Sequence, residues 1–241
     1  MIELGLGLVS IGRPWGYRRG LPPPESDALA LLAQAVSLGI RFFDTAPAYG
    51  ASEAILGRFL RRNDRPVLVA TKMGEWWDSA SGASTVDHRY ESLARSIDRS
   101  LELLGRIDLL QVHKATAENL VTPDVARAVE YARACGIGHF GASVTDEAAA
   151  AAAIRTGWCS HLQFPFNRAN TGLAPIFPLA RASGLNLVIN RPLAMGELPA
   201  TAEAFGFIRS QAFSGVVLTG TRSVAHLVEN HAAFTTRLPG S

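Results

Sequence analysis

Cysteine is scarce in this 241-residue chain: Cys135 and Cys159 are the only two, and neither lies in a C-x-x-C pair. Two such residues are too few for a disulfide framework, so both read as ordinary thiols. Lysine is just as rare. Of the 23 basic residues only Lys72 and Lys114 are lysines, so arginine supplies nearly every cation and a lysine calls for a local reason. No run of about twenty residues is apolar throughout, which argues against a transmembrane helix. The opening MIELGLGLVSIGRPWG lacks a cationic segment ahead of a long apolar core, so no secretory signal is expected and the chain reads as cytoplasmic, with no membrane partner. The formal charge of +2 is small, and the arginines are spread out apart from groups at Arg18, Arg19 and at Arg58, Arg61, Arg62, Arg65. These groups read as solvated faces rather than a nucleic-acid footprint. No metal site is expected.

What the chain does have is an apolar share of 48% against 18% charged residues, enough to bury a sizeable core. Short β-branched or leucine-rich runs alternate with longer helical patterns along its whole length. The runs LGLGLV, IRFFD, PVLVATK, IDLLQVH, IGHFGAS, HLQFPF, LNLVIN and GVVLTG are read as strands. The intervening helices include Asp27 to Leu38, SEAILGRFLRR, YESLARSIDRSLELLG, the alanine-rich Asp146 to Arg155, and LAPIFPLARASG with a proline kink. Strands joined by crossover helices make a parallel sheet, and eight strand-helix pairs in this length predict a closed (β/α)8 TIM barrel spanning residues 1–241 as a single domain. An open doubly wound sheet should carry G-x-G-x-x-G after its first strand. Gly5 and Gly7 lie inside the first apolar run and no helix opens at once, so that fingerprint fails.

In a parallel barrel the active site lies at the C-terminal ends of the strands. The second, third and fourth strands end at Asp44, Lys72 and His113, and Tyr49 follows Asp44 in a Pro-Ala-Tyr-Gly turn. Neighbouring strands are about 4.8 Å apart, so these groups can converge on one rim. A phenol has a reference pKa of about 10, and an adjacent ammonium is expected to draw it down. Asp44 would hold Lys72 charged and aimed, leaving Tyr49 a proton donor for a developing alkoxide and His113 a hydrogen-bond donor to the same oxygen. Any one of these residues alone reads as a cap, a turn aromatic or a surface charge. Four at successive strand ends read as a site.

DTAPAYG followed by SEAILG, with ATK and LLQVHK, resembles the aldo-keto reductase family, and the similarity runs over essentially the whole chain. The resemblance implies a barrel that reduces an aldehyde or ketone with a nicotinamide cofactor, with Tyr49 as general acid, Lys72 and Asp44 tuning it, and His113 orienting the carbonyl. The last unit, VVLTGTRSVAHLVEN, combines a strand, a Gly-Thr-Arg-Ser turn and a helix whose N-terminal amides suit an anion. The resemblance places cofactor phosphate at Gly220, Thr221, Arg222 and Ser223, adenine at Glu229 and Asn230, and the nicotinamide carboxamide at Ser143 and Gln163. A phosphate-gripping Arg222 favours NADP(H), with NAD(H) possible. The sequence departs from the family pattern at Val144, where Asn is usual, and at His226, where several relatives carry arginine. It departs again at Asn190, where many carry a stacking aromatic, and Arg191 is assigned to the cofactor pyrophosphate instead.

Trp15, Tyr17, Trp76 and Trp77 are expected to line an open pocket for a small-molecule carbonyl substrate, apolar or aromatic. The tryptophans equally suit a covered rim or a contact between subunits, and a monomer or weak homo-oligomer is expected. Two other functions fit parts of the pattern. A regulatory protein that binds NADPH would use the same barrel, and a phosphate-binding isomerase or aldolase would use Lys72 as a base or Schiff-base amine but leave Tyr49 without a task.

Overall fold

A computed structural model of the protein describes residues 1–16 and 20–236. Its centre is a closed barrel of eight parallel strands: β1 (Ile2–Gly7), β2 (Phe42–Asp44), β3 (Leu68–Met73), β6 (Leu109–Val112), β7 (His139–Ser143), β8 (His161–Pro165), β9 (Asn186–Asn190) and β10 (Gly215–Thr219). Each run read as a strand forms one of them. The barrel closes where β1 pairs with β10 on one side and β2 on the other. The numbers missing from the barrel belong to an antiparallel hairpin, β4 (Glu75–Asp78) and β5 (Ala83–Val86), which rises from the end of β3.

Period-two alternation sorts the strand residues. Phe43, Val69, Leu110, Leu187 and Val217 face outward into the main core beneath the helices. Phe42, Ala70, Leu109, Val188, Val216 and Leu218 face inward as a separate apolar cluster inside the barrel. The next inward layer towards the C-terminal mouth is polar. Asp44, Lys72, Gln111 and Gln163 fill it, all almost fully buried. The inside of this barrel is thus an apolar plug carrying a hydrogen-bonded polar layer that opens upward.

The helices follow from ordinary end signals. In α5 (Pro123–Ala134), Thr122 accepts from the Val125 amide and Pro123 takes the first position; Asp146 caps α6 (Glu147–Arg155), and Gly105, at φ 78°, ends α4 (Tyr90–Leu104). Helix α2 (Glu25–Ser37) starts two residues before the expected Asp27. The proline kink expected in the helix after β8 is absent. Helix α7 (Ile176–Ala182) begins only at Ile176, so Pro178 falls in its first turn, where an amide has no intrahelical partner to lose. Among the described residues, no helix is long and apolar enough to cross a membrane.

Candidate active site

Asp44 ends β2, and the chain turns through a single 3-10 turn, Pro47–Tyr49, before α3 (Ser52–Leu60). This turn packs against the short helix α1 (Val9–Gly12) with no room for side chains. A Cβ on Gly12 would lie 1.9 Å from the Tyr49 carbonyl oxygen, and Gly50, at φ 63°, would bring one within 2.3 Å of the Gly12 oxygen. The Ala51 amide donates to that same Gly12 oxygen at 3.1 Å. Tyr49 is therefore fixed over the mouth by backbone-to-backbone packing.

Beneath it, Lys72 is 1% exposed and commits its three protons to Asp44 Oδ1 at 2.8 Å, Asp44 Oδ2 at 2.7 Å and the Thr45 carbonyl at 3.0 Å. Its Nζ lies 4.7 Å from the centroid of the Tyr49 ring. Burial acts to lower the Lys72 pKa, but the facing Asp44 carboxylate, with Tyr49, raises it on balance. An ammonium held in this way stays charged and is no Schiff-base nucleophile. Asp44 Oδ1 also accepts from Gln111 Nε2 at 3.2 Å and Gln163 Nε2 at 3.0 Å. One carboxylate thereby gathers donors from β3, β6 and β8.

The phenol corrects the expectation about acidity. Tyr49 is half-buried, and burial raises its pKa. Lys72 opposes that rise while Asp44 adds to it, and the balance lies above the ordinary tyrosine value. Taking a phenolate out of water outweighs the single ammonium. Lys72 therefore limits the rise and does not reverse it.

His113 stands edge-on to Tyr49, ring centroids 5.9 Å apart, and its Nδ1 lies 3.0 Å from Glu75 Oε2, off the line of an ideal hydrogen bond. Burial lowers the His113 pKa, with Glu75 opposing and Lys72 assisting. Burial pushes the Glu75 carboxyl up, yet His113, Lys114 and Ser84 together hold it down to about 2. An ionised Glu75 can only accept, so the His113 Nδ1 carries a proton, and Nε2 becomes a donor only when the ring is charged. Lys114, immediately after His113, adopts φ 51°, as does Arg191 after Asn190 at φ 52°, so the chain turns sharply at both strand ends.

A cavity of about 850 Å³ opens above this layer. Asp44, Tyr49 and His113 line one side, with Ser143 near the middle; Asn190 and Arg191 lie further round, and the turn from Gly220 to Ser223 follows with Glu229 and Asn230 on α9 (Val224–Thr235). Ser223 caps α9, its hydroxyl accepting from the His226 amide. Arg222 reaches the Leu21 carbonyl at 3.0 Å, tying the phosphate-like turn to the first loop, while the Asn230 amide is spent on Thr219 Oγ1 at 2.6 Å. Val144 and His226 also line the cavity.

Three expected contacts sit elsewhere. Gln163 lies one layer below the wall, its amide nitrogen on Asp44 and its Oε1 buried without a partner. Trp76 and Trp77 do not line the cavity, because both belong to β4. Alternation turns Trp76 towards Arg99 of α4, at 5.9 Å, and packs Trp77 against the Arg13 guanidinium at 4.3 Å. Trp15 does line the cavity, whereas Tyr17 lies outside the described residues. Sequence reasoning missed Glu75, Gln111 and Arg13. The only local mark of the hairpin that delivers Glu75 is Asp78 ahead of Gly82, a turn in which Asp78 accepts from the Ala80 and Ser81 amides.

A sequence model described as the Aldo/keto reductase family matches residues 3–204. The chain belongs to the aldo/keto reductase family. It is 30% identical over 145 residues to the uncharacterized oxidoreductase YqkF of Bacillus subtilis, a match covering 58% of this chain and 44% of YqkF. It is 29% identical over 121 residues to the aldo-keto reductase yakc [NADP(+)] of Schizosaccharomyces pombe, covering 48% and 34%. The matched stretches thus span less than half the length of these two relatives. The crystal structure of PA4992 from Pseudomonas aeruginosa superposes with a TM-score of 0.83 at 29% identity, over 96% of this chain and 88% of that one.

Proposed function

We propose that the protein is an NADP-dependent oxidoreductase that reduces an aldehyde or ketone to an alcohol. The observation that carries this reading is the Asp44–Lys72 pair, fully buried and joined by two hydrogen bonds with a third from Lys72 to the Thr45 carbonyl, set directly beneath a tyrosine at the mouth of the barrel. Such a pair has no structural need to lie under a phenol that opens on a cavity. It gives that phenol a fixed positive charge against which an oxyanion can develop.

The residues present fit a dinucleotide. Two buried carbonyl oxygens lack a donor: Asn190 Oδ1, at the end of β9 on the cavity wall, and Gln163 Oε1, midway along β8 and one layer beneath it. With Ser143, Asn190 would hold a carboxamide, which brings the missing N–H group. The turn from Gly220 to Ser223 and the first amides of α9 would hold phosphate, with Arg222 giving a second charge and Arg191 reaching the pyrophosphate. Glu229 and Asn230 would face the adenine. The name of the yeast relative supports NADP over NAD.

When bound, the reduced nicotinamide supplies the hydride. Tyr49 gives its proton to the carbonyl oxygen, and Lys72 steadies the charge left on the phenol. Being acidic only above the usual tyrosine range, Tyr49 stays protonated through neutral pH, the state that reduction requires. His113 donates to the same oxygen from Nε2 when its ring is protonated, a state that burial opposes and the Glu75 carboxylate favours. The test is NADPH and NADH oxidation against a panel of aldehydes and ketones, alongside cofactor titration by fluorescence. Turnover with preference for NADPH is expected. Tight NADPH binding with no turnover on any carbonyl would replace this reading with a regulatory one.

A further inference from the structure

Arg13 is a buried cation that the proton-transfer machinery leaves unused. It caps the C-terminal end of α1, is 8% exposed and lines the cavity. Its guanidinium lies between two indoles, 4.3 Å from the Trp77 ring centroid and 5.1 Å from that of Trp15. In a flanked planar cation the faces are covered and the N–H edge is left to recognise a partner. One nitrogen, Nη1, donates to Ser84 Oγ at 3.2 Å, and Nε is buried without a partner. Among the described residues no carboxylate lies within 4.0 Å of the guanidinium; the nearby Glu75 is engaged with His113 and Lys114.

Buried charges are normally paired, because an unpaired one has lost its hydration with nothing in exchange. A second cation reinforces the imbalance, since Arg191 lies 5.8 Å from the same Trp15 ring. Position selects the substrate end of the cavity over the phosphate end. Arg13 bridges to the hairpin through Trp77 and Ser84, one residue from the Gly12 backbone that grips the Tyr49 turn, whereas the turn from Gly220 to Ser223 has its own Arg222, which reaches the Leu21 carbonyl.

We propose that Arg13 recognises a carboxylate on the substrate, so that the preferred substrates are oxo acids: aldehydes or ketones that carry a carboxylate beyond the carbonyl held at Tyr49. The proposal rests on the reductase reading. The carboxylate takes the free edge of the guanidinium as a charge-assisted, two-point contact, and the carbonyl is thereby aimed at the phenol.

Matched substrate pairs test it: 4-carboxybenzaldehyde against benzaldehyde, and succinic semialdehyde against butanal. The wild-type protein is expected to favour the acid of each pair in kcat/KM, and Arg13→Gln to lower that ratio by about 10- to 100-fold, the range for a charged hydrogen-bond pair. Arg13→Lys keeps the charge between the indoles and is expected to fall between the two. It also serves as the test variant if circular dichroism shows Arg13→Gln misfolded. A wild-type preference for the neutral aldehydes, or a ratio unmoved by either variant, would overturn the proposal. So would a loss confined to NADPH affinity, which would assign Arg13 to the cofactor. If no aldehyde is reduced, the reductase reading fails by itself, and quenching of tryptophan fluorescence by benzoate then decides for Arg13. Saturable quenching that Arg13→Gln abolishes supports the carboxylate site, and quenching that is absent or equal in both proteins removes it.

Discussion

Lys72 spends its three protons on Asp44 and the Thr45 carbonyl, and Asp44 takes two further donors from Gln111 and Gln163, so neither charge has water to fall back on. Asp44→Asn leaves a buried ammonium without its counter-charge, a loss expected to cost about 3–5 kcal/mol of stability in urea unfolding. A cost under about 1 kcal/mol would mean that the pair is far more hydrated than its burial indicates. Glu75 gives a pH prediction. Its folded pKa of about 2 lies below the reference carboxylate value, so the stability it adds is present above about pH 4.5 and drains as the pH falls towards 2. Glu75→Gln is therefore expected to flatten the acid side of the stability profile. Because Glu75 raises the His113 pKa, the same variant should also move the His113-dependent limb of kcat/KM to lower pH. A limb that stays in place would separate the two residues. At the alkaline end, reduction should fail only above the ordinary tyrosine range, since burial holds the Tyr49 proton on.

At the scale of elements, α9 and the hairpin carry the site's two ends. Ser223 both caps α9 and stands at its anion-ready N-terminus, so Ser223→Ala should cost about 1 kcal/mol in thermal or urea unfolding. It should also weaken NADPH binding. A variant that loses stability alone would leave the cap a purely structural device. The eight strands and their return helices were legible because each is a local pattern: apolar alternation, a capping residue, a glycine at the end. The hairpin was not. Glu75 to Val86 follows a strand directly with no apolar run to mark it, and β5 is exposed along its length, so its pairing with β4 is set by the Asp78 turn more than by burial. Trp76 and Trp77 look like pocket walls when read in a loop; as neighbours in a strand they point to opposite sides.

In the whole molecule, the barrel brings together groups that the sequence keeps far apart. Asp44, Lys72 and His113 could be read as a group because each lies at or within one residue of a strand end and the strands are neighbours in the barrel. Gln111 could not, because a mid-strand glutamine gains meaning only when the register sets it beside Lys72 and within reach of Asp44. Arg13 meets Trp77 and Ser84 across more than sixty residues of chain, and nothing local marks it among 21 arginines. The same distance explains the error over the phenol. A nearby lysine is visible in sequence order, but the burial that overrides it is a property of the folded mouth. We propose that this polar layer makes Tyr49 a proton donor. Single-turnover oxidation of bound NADPH by a carbonyl that the wild-type protein reduces tests it directly when Tyr49→Phe is compared with the wild type at equal cofactor occupancy. The account predicts unchanged NADPH affinity and a rate lower by about 100- to 10,000-fold, the usual worth of a positioned general acid. A Tyr49→Phe protein that reduces the carbonyl at the wild-type rate would contradict it.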